Sequence, residues 1–311
     1  MEEEHYYVCG VSNVPNVGQT IVTEDGIQYV LERQIAMTKG SYVFLTTNPI
    51  DGSKQVLKCI KFRKEHEMRI QREIEIHRCL SHPNIIPISQ FFRWDDYMCM
   101  TMPFATGGTL HSLVVSQRDG LPEPIARNIF LQICSGLKFL HDQNIWHRDI
   151  KLENFLIMGP SHVSSPHILF ADFGFARQFQ DNEKGAEFLG TIHYASPQIY
   201  KNIPYDNKTD IWSLGVCLYA MLGGVLPFPT DNAELRFNCI CSGRCSFDPR
   251  HFRNISNEAK DLIQHMLTVD PDARFSIDQV LSHPWLPQKT EIESDVWKHV
   301  EEFDVNPATP Y

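Results

Sequence analysis

The chain has 311 residues, 42% of them hydrophobic and 21% charged, enough apolar material for one two-lobed domain or two small ones. A formal net charge of −10 argues against general nucleic-acid binding, which needs a basic face, and is compatible with basic peptide substrates. Nine cysteines, odd in number and without paired spacing, argue against a disulfide framework and point to a reduced intracellular setting, the cytoplasm with the nucleus left open.

The start, Met1-Glu2-Glu3-Glu4-His5, is acidic and leads into no apolar run, so a signal peptide is not expected. Residues 1–28, with Pro15, Gly18 and Gly26, read as a weakly structured lead-in. From Tyr29 to about Tyr97 short β-rich runs dominate. Val43-Phe44-Leu45 and Val56-Leu57-Lys58-Cys59-Ile60 are predicted strands either side of a turn at Asn48-Pro49-Ile50-Asp51-Gly52. A helix is predicted from Glu65 to Leu80, with Met68, Ile70, Ile74, Ile76 and Leu80 among charged neighbours, ended by His82-Pro83-Asn84.

After Gly107-Gly108 the pattern turns helical. Ile125, Ile129, Phe130, Ile133, Leu137 and Leu140 form a 3.6-period stripe between Pro124 and His141. Further helices are expected over 207–222, 256–267 and 276–281. The apolar run Ile211 to Phe228 is short for a membrane span and lacks basic flanks, so a buried helix is the expectation. Cys239, Cys241 and Cys245 form one compact trio, whereas zinc sites pair ligands from two places, so idle or buried thiols are expected. Strand-rich then helix-rich segments, joined near Pro103, predict an α+β fold in two lobes.

Two runs carry the chemistry. His147-Arg148-Asp149-Ile150-Lys151-Leu152-Glu153-Asn154 supplies an acid, a lysine and an amide oxygen within one loop. Asp172-Phe173-Gly174 adds a carboxylate next to a glycine that lets the chain turn. Together they suit a magnesium-bound nucleotide and the deprotonation of a hydroxyl, and from about Tyr29 to Trp285 the chain resembles a serine/threonine protein kinase. Leu226-Pro227-Phe228 and Ser282-His283-Pro284-Trp285 resemble the calmodulin-dependent and AMP-activated group.

The resemblance implies a bilobal kinase fold over 29–285, with a small β-rich lobe at about 29–102, a larger helical lobe at about 106–285 and a tail at 286–311. It implies transfer of the γ-phosphate of ATP to serine or threonine hydroxyls of protein substrates. Asp149 would be the base, Lys151 a cation for the moving phosphoryl group, and Thr191 the bridge between them. Asn154 and Asp172 would hold Mg²⁺. Lys58 would anchor the nucleotide and pair with Glu73; Lys61 and Glu75 are the rivals, and spacing favours the first pair. Ala36, Val43, Val56 and Leu156 would lie against the nucleotide, with Met102 as gatekeeper and Phe104 and Ala105 as hinge. Asp210 would hold the catalytic-loop backbone. Glu153 matches a position that receives substrate arginine in basophilic kinases.

Several positions depart from the family pattern. Ala36, Thr38 and Ser41 stand where three glycines are usual, with only Gly40 nearby. Where positive φ is required each Cβ costs on the order of 1 kcal/mol. Summed, that would weaken ATP binding roughly ten- to a hundredfold. Thr109 replaces a ribose-touching glutamate, and His77 occupies a usually apolar position. Gln198 replaces the glutamate expected to pair with Arg274, predicting lower stability. These changes motivate the alternative of a pseudokinase acting as a binding module. From Phe175 to Gly190 there is no serine, threonine or tyrosine, and Glu187 stands at the usual phosphothreonine position. The expectation is that Glu187 offers Arg148 a permanent charge. In the tail Ile292, Val296, Val300 and Phe303 form an acidic-flanked stripe, expected to dock on the large lobe and unlike a calmodulin target.

Overall fold

In the computed structural model the described residues are 14–38, 40–62, 67–117, 119–159, 166–228 and 232–287. The tail stripe from Ile292 to Phe303, the first residues of the lead-in and the start of the helix expected from Glu65 lie outside them.

The chain divides into two compact units, one comprising residues up to 80 with 86–104, the other 81–85 with 105 onward. In the first, β1 (Thr20–Val22) pairs antiparallel with β2 (Gln28–Val30). A five-stranded antiparallel sheet follows, built from β3 (Arg33–Thr38), β4 (Ser41–Thr47), β5 (Lys54–Lys61), β6 (Gln90–Trp94) and β7 (Tyr97–Pro103) in the order β3-β4-β5-β7-β6. Helix α1 (Glu67–Cys79) lies between β5 and β6 in sequence. The weakly structured lead-in expected over 1–28 is revised for its second half. Ile21 on β1 is fully buried, in one cluster with Tyr29, Leu31, Phe44, Leu57, Cys59, Tyr97 and Cys99. Apolar burial on alternate residues gives that stretch the order its composition hides.

Strand alternation then fixes the other face. Leu57 and Cys59 point into this cluster, so Val56 and Lys58 face the opposite way. Val43 sits across from Lys58 and from Ala36, and Met102 across from Val56. Five residues singled out in the sequence therefore share one face of one sheet.

The second unit is mainly helical: α2 (Leu110–Ser116), α3 (Glu123–His141), α4 (Pro197–Tyr200), α5 (Lys208–Gly223), α6 (Ala233–Ser242), α7 (Pro249–Phe252), α8 (Asn257–Met266) and α9 (Ile277–Leu281). Short strands interrupt it: β8 (Ile145–Trp146) pairs β11 (Arg177–Gln178), and β9 (Phe155–Met158) pairs β10 (His167–Phe170). Helix α5 is buried from Thr209 through Gly223 and packs on α3, α7 and α8, which accounts for its apolar character on every side. Among the described residues no helix is long and apolar enough to cross a membrane.

One segment sits differently from the sequence expectation. Ser81–Ile85 belongs to the large unit because Asn84 Nδ2 donates to the Ile168 carbonyl at 3.0 Å, His167 Nε2 contacts the Pro83 carbonyl at 2.8 Å, and Ile85 bridges Phe170. These are polar contacts from residues far along the chain, invisible to local pattern.

Candidate active site

In the small unit the sheet face described above meets α1 through one ion pair. Lys58 Nζ lies 2.8 Å from Glu73 Oε1, and both side chains are largely buried. An ion pair taken out of water is held only where its geometry is good. His77, on the turn after Glu73, is satisfied by the Ile86 carbonyl at 2.7 Å, so its polarity costs little there. Ala36 and Thr38 are exposed on β3, which continues into β4 through a tight turn pairing Thr38 with Ser41. None of Ala36, Thr38 and Ser41 adopts positive φ, so the strain expected of their Cβ atoms is absent from this hairpin. Phe104 N–H reaches the Lys54 carbonyl at 3.4 Å, and Met102 is buried.

In the large unit Asp149 stands at the centre of a polar network. Lys151 Nζ donates to its Oδ2 at 2.6 Å, and Thr191 Oγ1 to its Oδ1 at 2.8 Å. Lys151 Nζ also reaches Thr191 Oγ1 at 2.9 Å, closing a triangle. Asn154 Nδ2 donates to the Asp149 carbonyl at 2.9 Å. A lysine from the same loop and a hydroxyl from a segment forty-two residues on thus meet at one carboxylate.

Asp210 explains why the loop holds this shape. Its Oδ2 accepts the His147 N–H at 2.9 Å and its Oδ1 the Arg148 N–H at 2.8 Å. His141 Nε2 approaches Oδ2 at 3.0 Å. Burial pushes the Asp210 carboxyl pKa up, but the His141 hydrogen bond, the charges of His141 and His147 and the Arg148 N–H together hold it below the ordinary value of 3.8. The two backbone contacts hold Arg148 at φ 65°, a left-handed conformation that L-residues resist. Gly190, at φ 92°, packs against the same place, since an added Cβ would lie 2.7 Å from the Arg148 carbonyl.

Asn154 ends a single 3₁₀ turn (Leu152–Asn154), and Asp172 lies exposed at φ 60°. The Asn154 amide nitrogen is used by the Asp149 carbonyl, so its oxygen is the end left to face elsewhere. One amide oxygen and one carboxylate are hard donors of the kind Mg²⁺ takes, a cation that draws its remaining ligands from phosphate and water. The donor set fits that ion. Among the described residues no group of three or more His, Cys, Asp and Glu side chains could hold a metal, and Cys239, Cys241 and Cys245 are half-buried free thiols.

Two residues, Thr109 and Gln198, have uses that the sequence did not suggest. Thr109 caps α2: its Oγ1 accepts the Ser112 N–H at 3.1 Å. Leu156 on β9 is half-buried and bridges Thr109, and Ala105, also in this unit, is buried. Gln198 uses both ends of its amide, its oxygen accepting from Arg274 at 2.8 Å and its nitrogen donating to the Val269 carbonyl at 2.8 Å. Arg274 is 1% exposed, and burial draws its pKa down to about 10. His141 and Tyr205, prominent in the site's support, were missed because nothing local marks them; only their distance-bridging contacts do.

Comparison with known proteins gives these contacts a context. The Protein kinase domain family matches residues 29–286. Calcium/calmodulin-dependent protein kinase type 1 of Caenorhabditis elegans is 33% identical over 259 residues, covering 82% of this chain and 73% of the relative. Calcium-dependent protein kinase 3 of Plasmodium yoelii yoelii is 35% identical over 255 residues, 81% of this chain and 47% of the relative. The serine/threonine-protein kinase H1 homolog of Danio rerio is 36% identical over 231 residues, 73% of this chain and 53% of the relative. The binding-module alternative finds no support in relatives that carry the names of kinases. The chain belongs to the protein kinase family, as a serine/threonine protein kinase of the calcium/calmodulin-dependent kinase group.

Proposed function

We propose that this kinase transfers the γ-phosphate of ATP to serine or threonine hydroxyls of protein substrates, with Asp149 as the base. Asp149 takes the hydroxyl proton and sets the substrate oxygen towards the γ-phosphoryl group. Lys151, held between Asp149 and Thr191, supplies positive charge to the phosphoryl oxygens as they pass. Asn154 and Asp172 are the residues that would hold Mg²⁺, which when bound neutralises charge on the phosphate oxygens. Lys58, braced by Glu73, binds the nucleotide's phosphates. The roles assigned to the remaining residues are apolar contact with the adenine ring for Val43, Val56 and Leu156, a place along the phosphate hairpin for Ala36, the gatekeeper position for Met102, and backbone towards the base edge for Phe104 and Ala105.

The observation that supports this reading best is the state of Asp149. Both its oxygens are engaged by Lys151 and Thr191, while Asp210 pins the peptides before it. A binding module has no chemical need for that arrangement. Exposed Glu153 supports a preference for arginine or lysine before the target hydroxyl. The test is phosphate transfer from Mg²⁺-ATP to a mixed peptide panel. The Asp149→Asn variant is expected to lose about 10²–10⁴-fold in rate, the usual weight of a positioned base. Equal signals from both proteins would overturn the assignment, and a panel without basic enrichment would refute the role given to Glu153.

A further inference from the structure

Arg148 is a buried cation on the activation side of the site, only 4% exposed at its side chain. Its Nε donates to the Phe175 carbonyl at 2.7 Å, and its guanidinium lies over the Phe179 ring at 5.5 Å. Neither contact cancels its charge. A buried charge without a counter-charge is costly, so the fold must supply an anion. Between Phe175 and Gly190 no residue carries a hydroxyl that could be phosphorylated. The next hydroxyl, on Thr191, is already shared by Asp149 and Lys151.

The anion is Glu187. Its Oε2 accepts from Arg148 Nη1 at 2.6 Å, and among the described residues it is the only carboxylate ion-paired with Arg148. The backbone around it is also held. Gly185 and Tyr205 exchange two backbone hydrogen bonds, at 2.8 and 2.9 Å, and the Tyr205 hydroxyl donates to the Glu187 carbonyl at 3.1 Å. Gly185 is needed for that approach, because a Cβ there would overlap the Tyr205 ring. Tyr205 in turn packs with Trp146 and Phe179, whose rings stack at 3.6 Å.

We propose that Arg148, Glu187 and Tyr205 form a clamp that orders the activation segment without phosphorylation, so that the enzyme is switched on as synthesised. Glu187 is a positioning residue: it acts through Arg148, whose backbone leads into Asp149. This inference rests on the catalytic reading above, and Glu187 at 46% exposure leaves it a partly solvated anion, weaker than a phosphate but permanent.

The experiment uses the full chain made in bacteria and treated with phosphatase, its mass confirming the unphosphorylated state. Peptide phosphorylation and amide hydrogen exchange over 183–190 are measured together. Treated wild-type protein is expected to keep its full rate. Glu187→Gln should lower kcat about tenfold, as expected for losing a charge-assisted contact to a buried arginine, with KM for ATP within about twofold and faster exchange over 183–190. Arg148→Met should lower kcat similarly, and the double variant should be no slower than that single one. Wild-type rate and protection in Glu187→Gln, collapse of the wild-type rate on phosphatase treatment, or multiplied losses in the double variant would each overturn the clamp. Should wild type be no faster than Asp149→Asn, the catalytic reading fails instead, and the exchange data still decide whether Glu187 orders the segment.

Discussion

Replacing Asp210 by asparagine isolates what keeps the catalytic loop in place. The carboxylate accepts three hydrogen bonds on two oxygens, from the His147 and Arg148 peptides and from His141. Asparagine keeps one acceptor oxygen and turns a donor towards whatever it cannot accept. Even in its better orientation one buried N–H loses its acceptor and the charge is gone, a cost of about 3 kcal/mol. For a unit of this size that is a fall of roughly 10 °C in melting temperature. Arg148 at φ 65° would also be released from a conformation disfavoured by about 1–2 kcal/mol. Asp149 follows it, and displacement of a reacting group by about 1 Å can cost on the order of a hundredfold in kcat. Thermal melting by circular dichroism and peptide kinetics at low temperature read the two effects. The sign with pH is fixed as well. The folded pKa of Asp210 is depressed, so its contribution is full above the unfolded value of 3.8 and is lost as pH falls through the lower folded value. The deficit of the variant should therefore be constant at neutral pH and narrow only below about pH 4. An Asp210→Asn protein melting within about 2 °C of wild type, with more than half its kcat, would refute the account.

Lys58→Met should lower kcat/KM for ATP by about a hundredfold or more, because it removes the cation assigned to the nucleotide's phosphates and strands Glu73; a change under about threefold would show that another lysine anchors the nucleotide. Gln198→Glu is expected to change stability by less than about 1.5 kcal/mol, since a charged contact with Arg274 is gained while the donor to the Val269 carbonyl is lost, and urea unfolding measures the balance. Gly185→Ala should loosen residues 183–190 in hydrogen exchange and slow the enzyme severalfold, and unchanged protection would show that the Tyr205 contact can shift at little cost.

Much of this was legible in the sequence because the chemistry is written in short runs. The positions of Asp149, Lys151, Asn154 and Asp172 follow from two motifs, and strand alternation around Lys58 places Val43, Val56 and Met102 on its face. The order of residues 14–28 was not legible, because one buried isoleucine between exposed neighbours carries it. Nor was the placement of Ser81–Ile85, which depends on contacts with Ile168, His167 and Phe170, more than eighty residues away. The phosphate hairpin shows a different limit: Ala36, Thr38 and Ser41 signal strain only if the backbone takes positive φ, and here it does not. Gln198 was read for the charge it lacks; the structure shows the second hydrogen bond that an amide can donate and a carboxylate cannot.

The stacking of Trp146 on Phe179 has a practical consequence. Both rings belong to one buried cluster with Tyr205, and the Arg148 guanidinium lies over the Phe179 ring at 5.5 Å. With five tryptophans in the chain, a protein retaining Trp146 alone would carry a single intrinsic fluorophore at the root of the activation segment. Its emission would redden as that segment lifts away and water reaches the indole, giving an optical readout in real time without a label.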